Sequence, residues 1–97
     1  MNIQKLMRQA QQMQERVQRE MAELEVEAAA GGGMVTVRMN GHKHLLSVAI
    51  EREVMDPEDP GMLADLVLAA VNEAARKVDE ALSSRLGGAA GGLPGFG

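Results

Sequence analysis

The sequence predicts an α+β domain of order α-β-β-β-α, a three-stranded antiparallel meander between two long helices. Three observations carry this reading. Apolar residues near the start recur at alternating spacings of three and four. The middle of the chain switches to strict alternation. The last third returns to a helical period behind two Asp-Pro signals. Within 97 residues this makes one domain, 1–86, followed by a Gly-rich tail, 87–97, with no internal repeat.

The first helix is read from Ile3, Leu6, Ala10, Met13, Val17 and Leu24, with Glu20 interrupting the series. Gln, Arg and Lys, all good helix formers, fill the gaps. The apolar seam is narrow, which suits packing against one other helix better than covering a sheet. From Glu23 the period becomes two. Leu24, Val26 and Ala28 alternate with Glu23, Glu25 and Glu27, giving a strand with one acidic face. Gly31-Gly32-Gly33 ends it in a turn.

A second strand follows in Val35, Val37 and Met39, alternating with Thr36 and Arg38. Asn40-Gly41 is the strongest local signal, because this dipeptide accepts the positive φ angles of a tight two-residue hairpin turn. The return strand carries His44, Leu46, Val48 and Ile50 on one face and Lys43, Leu45, Ser47, Ala49 and Glu51 on the other. Asp56-Pro57 and Asp59-Pro60 each place a capping side chain before a proline, the usual helix start. Over 62–86 a wide stripe recurs, through Leu63, Leu66, Val67, Ala70, Val71, Ala74, Val78, Leu82 and Leu86. So wide a stripe must bury two sides: one on the sheet, the other on the first helix or on a second subunit. Glu73 with Lys77, and Arg76 with Glu80, are spaced for ion pairs on the solvent face. Beyond Gly87-Gly88 the Gly- and Ala-rich tail is expected to be disordered.

Composition narrows the function. Hydrophobic residues make up 45% of the chain, enough for a globular core, but Phe96 is its one aromatic residue. So small a domain has a modest core, and association is a common remedy. With no cysteine, disulfides and thiolate metal sites are excluded. The start reads as polar rather than as a signal peptide, and no apolar run is long enough for a membrane span, so a cytoplasmic location is expected. The net charge of −4 argues mildly against a polyanionic partner. Its distribution argues the other way, since residues 1–19 carry Lys5, Arg8, Arg16 and Arg19 against Glu15 alone. The acid gathers in Glu51, Glu53, Asp56, Glu58 and Asp59.

Little here resembles catalysis. His42 and His44 sit two apart, a spacing that can share a metal, but no carboxylate joins them in a motif, so a polar hairpin end is the simpler reading. The triple glycine lacks the Lys-Ser/Thr of a phosphate loop. A non-enzyme, with no cofactor and no metal, is expected.

Three segments, in order, carry a family resemblance: Leu6-Met7-Arg8-Gln9-Ala10-Gln11-Gln12-Met13-Gln14-Glu15, then Gly33-Met34-Val35-Thr36-Val37-Arg38-Met39-Asn40-Gly41, then Leu66-Val67-Leu68-Ala69-Ala70-Val71-Asn72-Glu73-Ala74-Ala75-Arg76-Lys77-Val78. Together with the tail's Leu93-Pro94-Gly95-Phe96, they resemble the YbaB/EbfC family of bacterial nucleoid-associated proteins over nearly the whole chain. The resemblance implies a tweezer-like homodimer. It also implies binding of double-stranded DNA with little sequence preference, organising or bending the chromosome in the nucleoid and affecting gene expression. The expected DNA-binding residues are Lys5, Arg8, Arg16, Arg19, Arg76, Lys77 and Arg85, each contacting phosphate rather than reading a base. If the two helices pack antiparallel, Lys5 and Arg8 are expected near Arg85. The alternative is a dimeric protein–protein adaptor for a replication, recombination or repair factor, which the acidic balance and the narrow seam favour. The absence of aromatic stacking groups disfavours single-strand binding.

Overall fold

The computed structural model describes residues 2–87. It contains α1 (Ile3–Glu23), β1 (Glu25–Ala30), β2 (Val35–Asn40), β3 (Leu45–Ile50), a 3-10 turn (Arg52–Val54) and α2 (Pro60–Leu86). The predicted α-β-β-β-α order is therefore found. The disorder expected of the tail falls, from residue 88 onward, outside the described residues.

Asn2 opens α1, its side chain accepting from the Lys5 backbone N–H at 3.1 Å. The helix gives way directly to β1 at Leu24, whose extended backbone still donates to the Glu20 carbonyl. The sheet is an antiparallel meander, β1-β2-β3, with Ala28 opposite Val37 and Val37 opposite Val48. Met39 pairs with Leu45 while Arg38 pairs with Ser47, so Leu46 is an extra residue that bulges β3.

The hairpin differs from the two-residue turn predicted at Asn40-Gly41. Residues 41–44 form a four-residue loop, closed by the Asn40 N–H donating to the His44 carbonyl at 3.0 Å. The Asn40 side chain accepts from the His42 and His44 N–H groups. The positive φ, 63°, falls on Lys43. His44 therefore precedes β3 rather than belonging to it.

Asp59 caps α2, accepting from the Met62 N–H at 3.2 Å, and Pro60 occupies its first turn. Asp56, the other start signal, instead accepts from Glu58 N–H in the connecting turn. Ala70, Ala74, Val78 and Leu82 of α2 press on Ala28, Val35, Val37 and Met39 of the sheet, with Leu24 and Val54 closing the ends of this core. The 3-10 turn, unforeseen from sequence, inserts Val54 as one of the most deeply buried side chains. Lys77 Nζ donates to the Glu27 carbonyl at 2.8 Å, and Lys43 pairs with Asp79 at 2.7 Å, pinning α2 to β1 and to the hairpin loop.

Helix α2 covers β1 and β2 but leaves β3 open. Leu45, Leu46 and Val48 are each close to half exposed, on a strand whose outer edge has no paired strand among the described residues.

Candidate nucleic-acid interface

At about 100° per residue, the cations of α1 fall on one face. Lys5, Arg8, Arg16 and Arg19 lie within a quarter turn of one another. Ile3, Leu6, Met7, Ala10, Met13 and Val17 gather on the opposite face, about 160° round the helix axis. Between Asn2 and Gln14 the only charged side chains are Lys5 and Arg8. The outer half of α1 is thus a positively charged cylinder, apolar on its far side, and every residue of this half but Met13 is exposed.

Helix α2 meets α1 along the lower part of this apolar side. Met13, Val17 and Met21 are half-buried there, while no residue of α1 is fully buried. The Arg16 Nη2 donates to the Arg85 carbonyl at 3.1 Å, satisfying an orphan acceptor at the end of α2. Arg85 Nη1 in turn reaches Glu20 Oε2 at 3.3 Å. Hence Arg85 lies beside Arg16 and Glu20, not beside Lys5 and Arg8 as expected. The helices are antiparallel, but α2 ends at Leu86, roughly 12–16 Å along α1 from Arg8 and Lys5 at about 1.5 Å per residue. The outer half of α1 continues as a free arm.

The structure therefore splits the seven candidate cations. Among the described residues, Lys5, Arg8 and Arg19 make no side-chain ion pair, and all three are exposed. Arg16 keeps its charge uncompensated while holding a carbonyl. Arg76 is neutralised on both sides, by Glu73 and by Glu80, each at 2.6 Å. The Arg76 guanidinium, through its hydrogen bond, holds the Glu73 carboxyl below the usual range, and the same bond to Glu73 raises Arg76 further. Lys77 spends its ammonium on the sheet rather than on Glu73, and Arg85 is paired with Glu20. Arg76, Lys77 and Arg85 are thus built into the domain, Arg16 stands where α2 ends, and Lys5 and Arg8 project beyond it.

Arg38 pairs with Glu25 across the sheet surface, offsetting part of the acidic face of β1. His42 and His44 are exposed, their ring centroids 6.0 Å apart, and among the described residues no group of three metal-ligating side chains converges. No helix among the described residues is long and apolar enough to cross a membrane.

The structure is thus a sheet backed by one helix, with a basic helical arm projecting past it. Comparison with known proteins is consistent with that form. The profile of the YbaB/EbfC DNA-binding family matches residues 1–93. A nucleoid-associated protein of Koribacter versatilis is 53% identical over 97 residues, covering 98% of this chain and 96% of its own. One from Chloroflexus aurantiacus is 48% identical over 99 residues, covering 99% of each. A crystal structure of an uncharacterized Helicobacter pylori protein superposes with a TM-score of 0.71 at 22% identity, over 87% of this chain and 91% of that one, and shows the same fold. The chain belongs to the YbaB/EbfC DNA-binding family, a family of nucleoid-associated proteins and not of enzymes.

Proposed function

We propose that this chain grips double-stranded DNA as a homodimer, in the nucleoid within the cytoplasm, with little sequence preference. The grip lies on the basic face of α1, and its effect is to organise or bend the chromosome and so affect gene expression. The observation that carries this reading is the alignment of Lys5, Arg8, Arg16 and Arg19 on one face of a projecting helix whose outer half holds no acid. Side chains of this kind contact phosphates and carry no base code, so binding is salt-sensitive and sequence-tolerant. Arg76, Lys77 and Arg85, engaged by neighbours, add secondary contacts.

The homodimer is supported by β3. An edge strand with Leu45, Leu46 and Val48 exposed is an association site unless covered. A second copy covers it and doubles the number of arms. One observation favours the adaptor for a replication, recombination or repair factor as a second reading: the apolar side of the arm, with Ile3, Leu6 and Met7 exposed.

The test is charge reversal on the arm. Lys5→Glu with Arg8→Glu is expected to lower duplex affinity by at least tenfold, since each hydrogen bond from a charged group is worth about 1.5–3 kcal/mol. Circular dichroism and molecular mass should be unchanged. Undiminished binding by this variant would remove the arm from the interface. Capture of a repair factor by a protein that binds no duplex would favour the adaptor.

A further inference from the structure

We infer that the free half of α1 is a self-association seam, which pairs with the same segment of a second copy from another dimer and so holds two DNA duplexes back to back. Three observations point to the pairing. What the outer faces hold rests on the DNA reading above.

The seam is first of all half-used. Ile3, Leu6, Ala10, Met13 and Val17 continue the three-four spacing of a coiled coil, followed by Glu20 and Leu24. Helix α2 and the hairpin loop cover the inner part of the seam, from the half-buried Met13 to Leu24, and α2 stops at Leu86, leaving Ile3 67%, Leu6 47% and the adjoining Met7 66% exposed. Secondly, the flanks of the free seam are uncharged. Met7, Gln9 and Gln14 stand where a coiled coil sets the charges that choose its partner. An identical arm meets no like charge there, and a strongly charged partner finds nothing to pair with. Thirdly, Lys5 and Arg8 lie on the opposite face. Two arms joined through their apolar sides turn their cations outward, on a body about 20 Å across. Each outward face then meets its own duplex.

The free seam, residues 3–14, is only about 18 Å long. That is too short to hold a pair of helices in dilute solution. Pairing therefore depends on the local concentration created when dimers collect on DNA, where a weak second contact becomes effectively intramolecular. Bridging is expected to rise with the density of bound protein.

Because the chain has no cysteine, Leu6→Cys places a single thiol on the seam and Gln12→Cys one on the outer face, leaving the four cations of the DNA face in place. On DNA, a short bismaleimide should link copies through Leu6→Cys several-fold more than through Gln12→Cys. In a parallel assay one duplex is fixed to beads and a second, labelled duplex is free. The wild type should retain the second duplex, while Ile3→Gln with Leu6→Gln should bind one duplex normally and lose the other. Equal cross-linking at the two positions would overturn the pairing, as would bridging that survives the double Gln change. A wild type that binds one duplex but never captures a second would overturn it while leaving the DNA reading intact. Seam cross-linking that arises only once residues 88–97 are deleted would assign the face to that segment instead. If no duplex binds at all, the DNA reading fails, and cross-linking in concentrated protein without DNA still decides the pairing.

Discussion

Gly41 shows how one residue can be fixed by a distant element. A Cβ at this position would run into the Met21 carbonyl oxygen and lie 2.6 Å from the Met21 Cα. The Gly41 N–H also donates to the Leu24 carbonyl at 3.0 Å. The end of α1 is thus laid directly on the hairpin backbone, and only hydrogen fits between. Gly41→Ala should lower stability by about 1–3 kcal/mol, the usual cost of forcing an extra carbon into a packed contact. Urea denaturation measures this. An unchanged midpoint would mean that α1 does not rest on the loop.

The sequence made Gly41 visible for the wrong reason. Asn-Gly predicts a tight turn by local conformation, yet the positive φ sits on Lys43, and Asn40 spends its side chain on two loop N–H groups. The contact with Met21 is tertiary and has no local signature. Arg16 and Arg85 teach the same lesson. Their charges were legible, but which cation meets the end of α2 depends on where two helices stop relative to each other, and period alone does not set that.

At the level of elements, periodicity was a good guide where one side of an element is buried, as on β2 and α2. The stripe of α2 faces the sheet through Ala70, Ala74, Val78 and Leu82, and its start was marked by Asp59-Pro60. The 3-10 turn escaped notice because Val54 and its neighbour Met55 are a short apolar pair in an acidic stretch, with no period to show which of them is buried. Nor could the strand pattern reveal that α2 stops short of β3, which leaves the same alternation half-covered on β2 and open on β3.

The two helices therefore answer differently to truncation. Leu82→Ala removes a side chain only 1% exposed in the core and should cost about 2–5 kcal/mol. Leu6→Ala lies on the free arm and should change stability by no more than about 0.5 kcal/mol. Denaturation of the two variants side by side tests the division of α1. A large loss at Leu6→Ala would show that its outer half is packed within the domain.

The whole molecule is long and polarised, 67 × 19 × 16 Å. The acidic stretch 51–59 lies at the start of α2, about 40 Å along that helix from its contact with α1. The cations of the arm project beyond the other end. A net charge of −4 therefore coexists with a locally basic arm, since the acid is held away from it. The sheet end carries the open β3 strand, where a second copy is proposed to bind. Val48→Lys places a charge on that strand and should give a monomer of 10.4 kDa by light scattering, while the wild type is expected at twice that mass. An unaltered dimer would place the interface elsewhere.

The most direct measurement of the central claim is fluorescence anisotropy of labelled duplexes at several salt concentrations. Two unrelated sequences are compared, with wild type and the Lys5→Gln, Arg8→Gln variant. The label is on the DNA, because the protein has neither Trp nor Tyr. Phosphate gripping by the arm requires the same affinity for both sequences and a linear fall of log K with log salt, with slope about −0.9 per neutralised phosphate. The variant's slope should be shallower by roughly one for each phosphate no longer gripped. Salt-independent binding, a strong preference for one sequence, or an unchanged slope in the variant would contradict it.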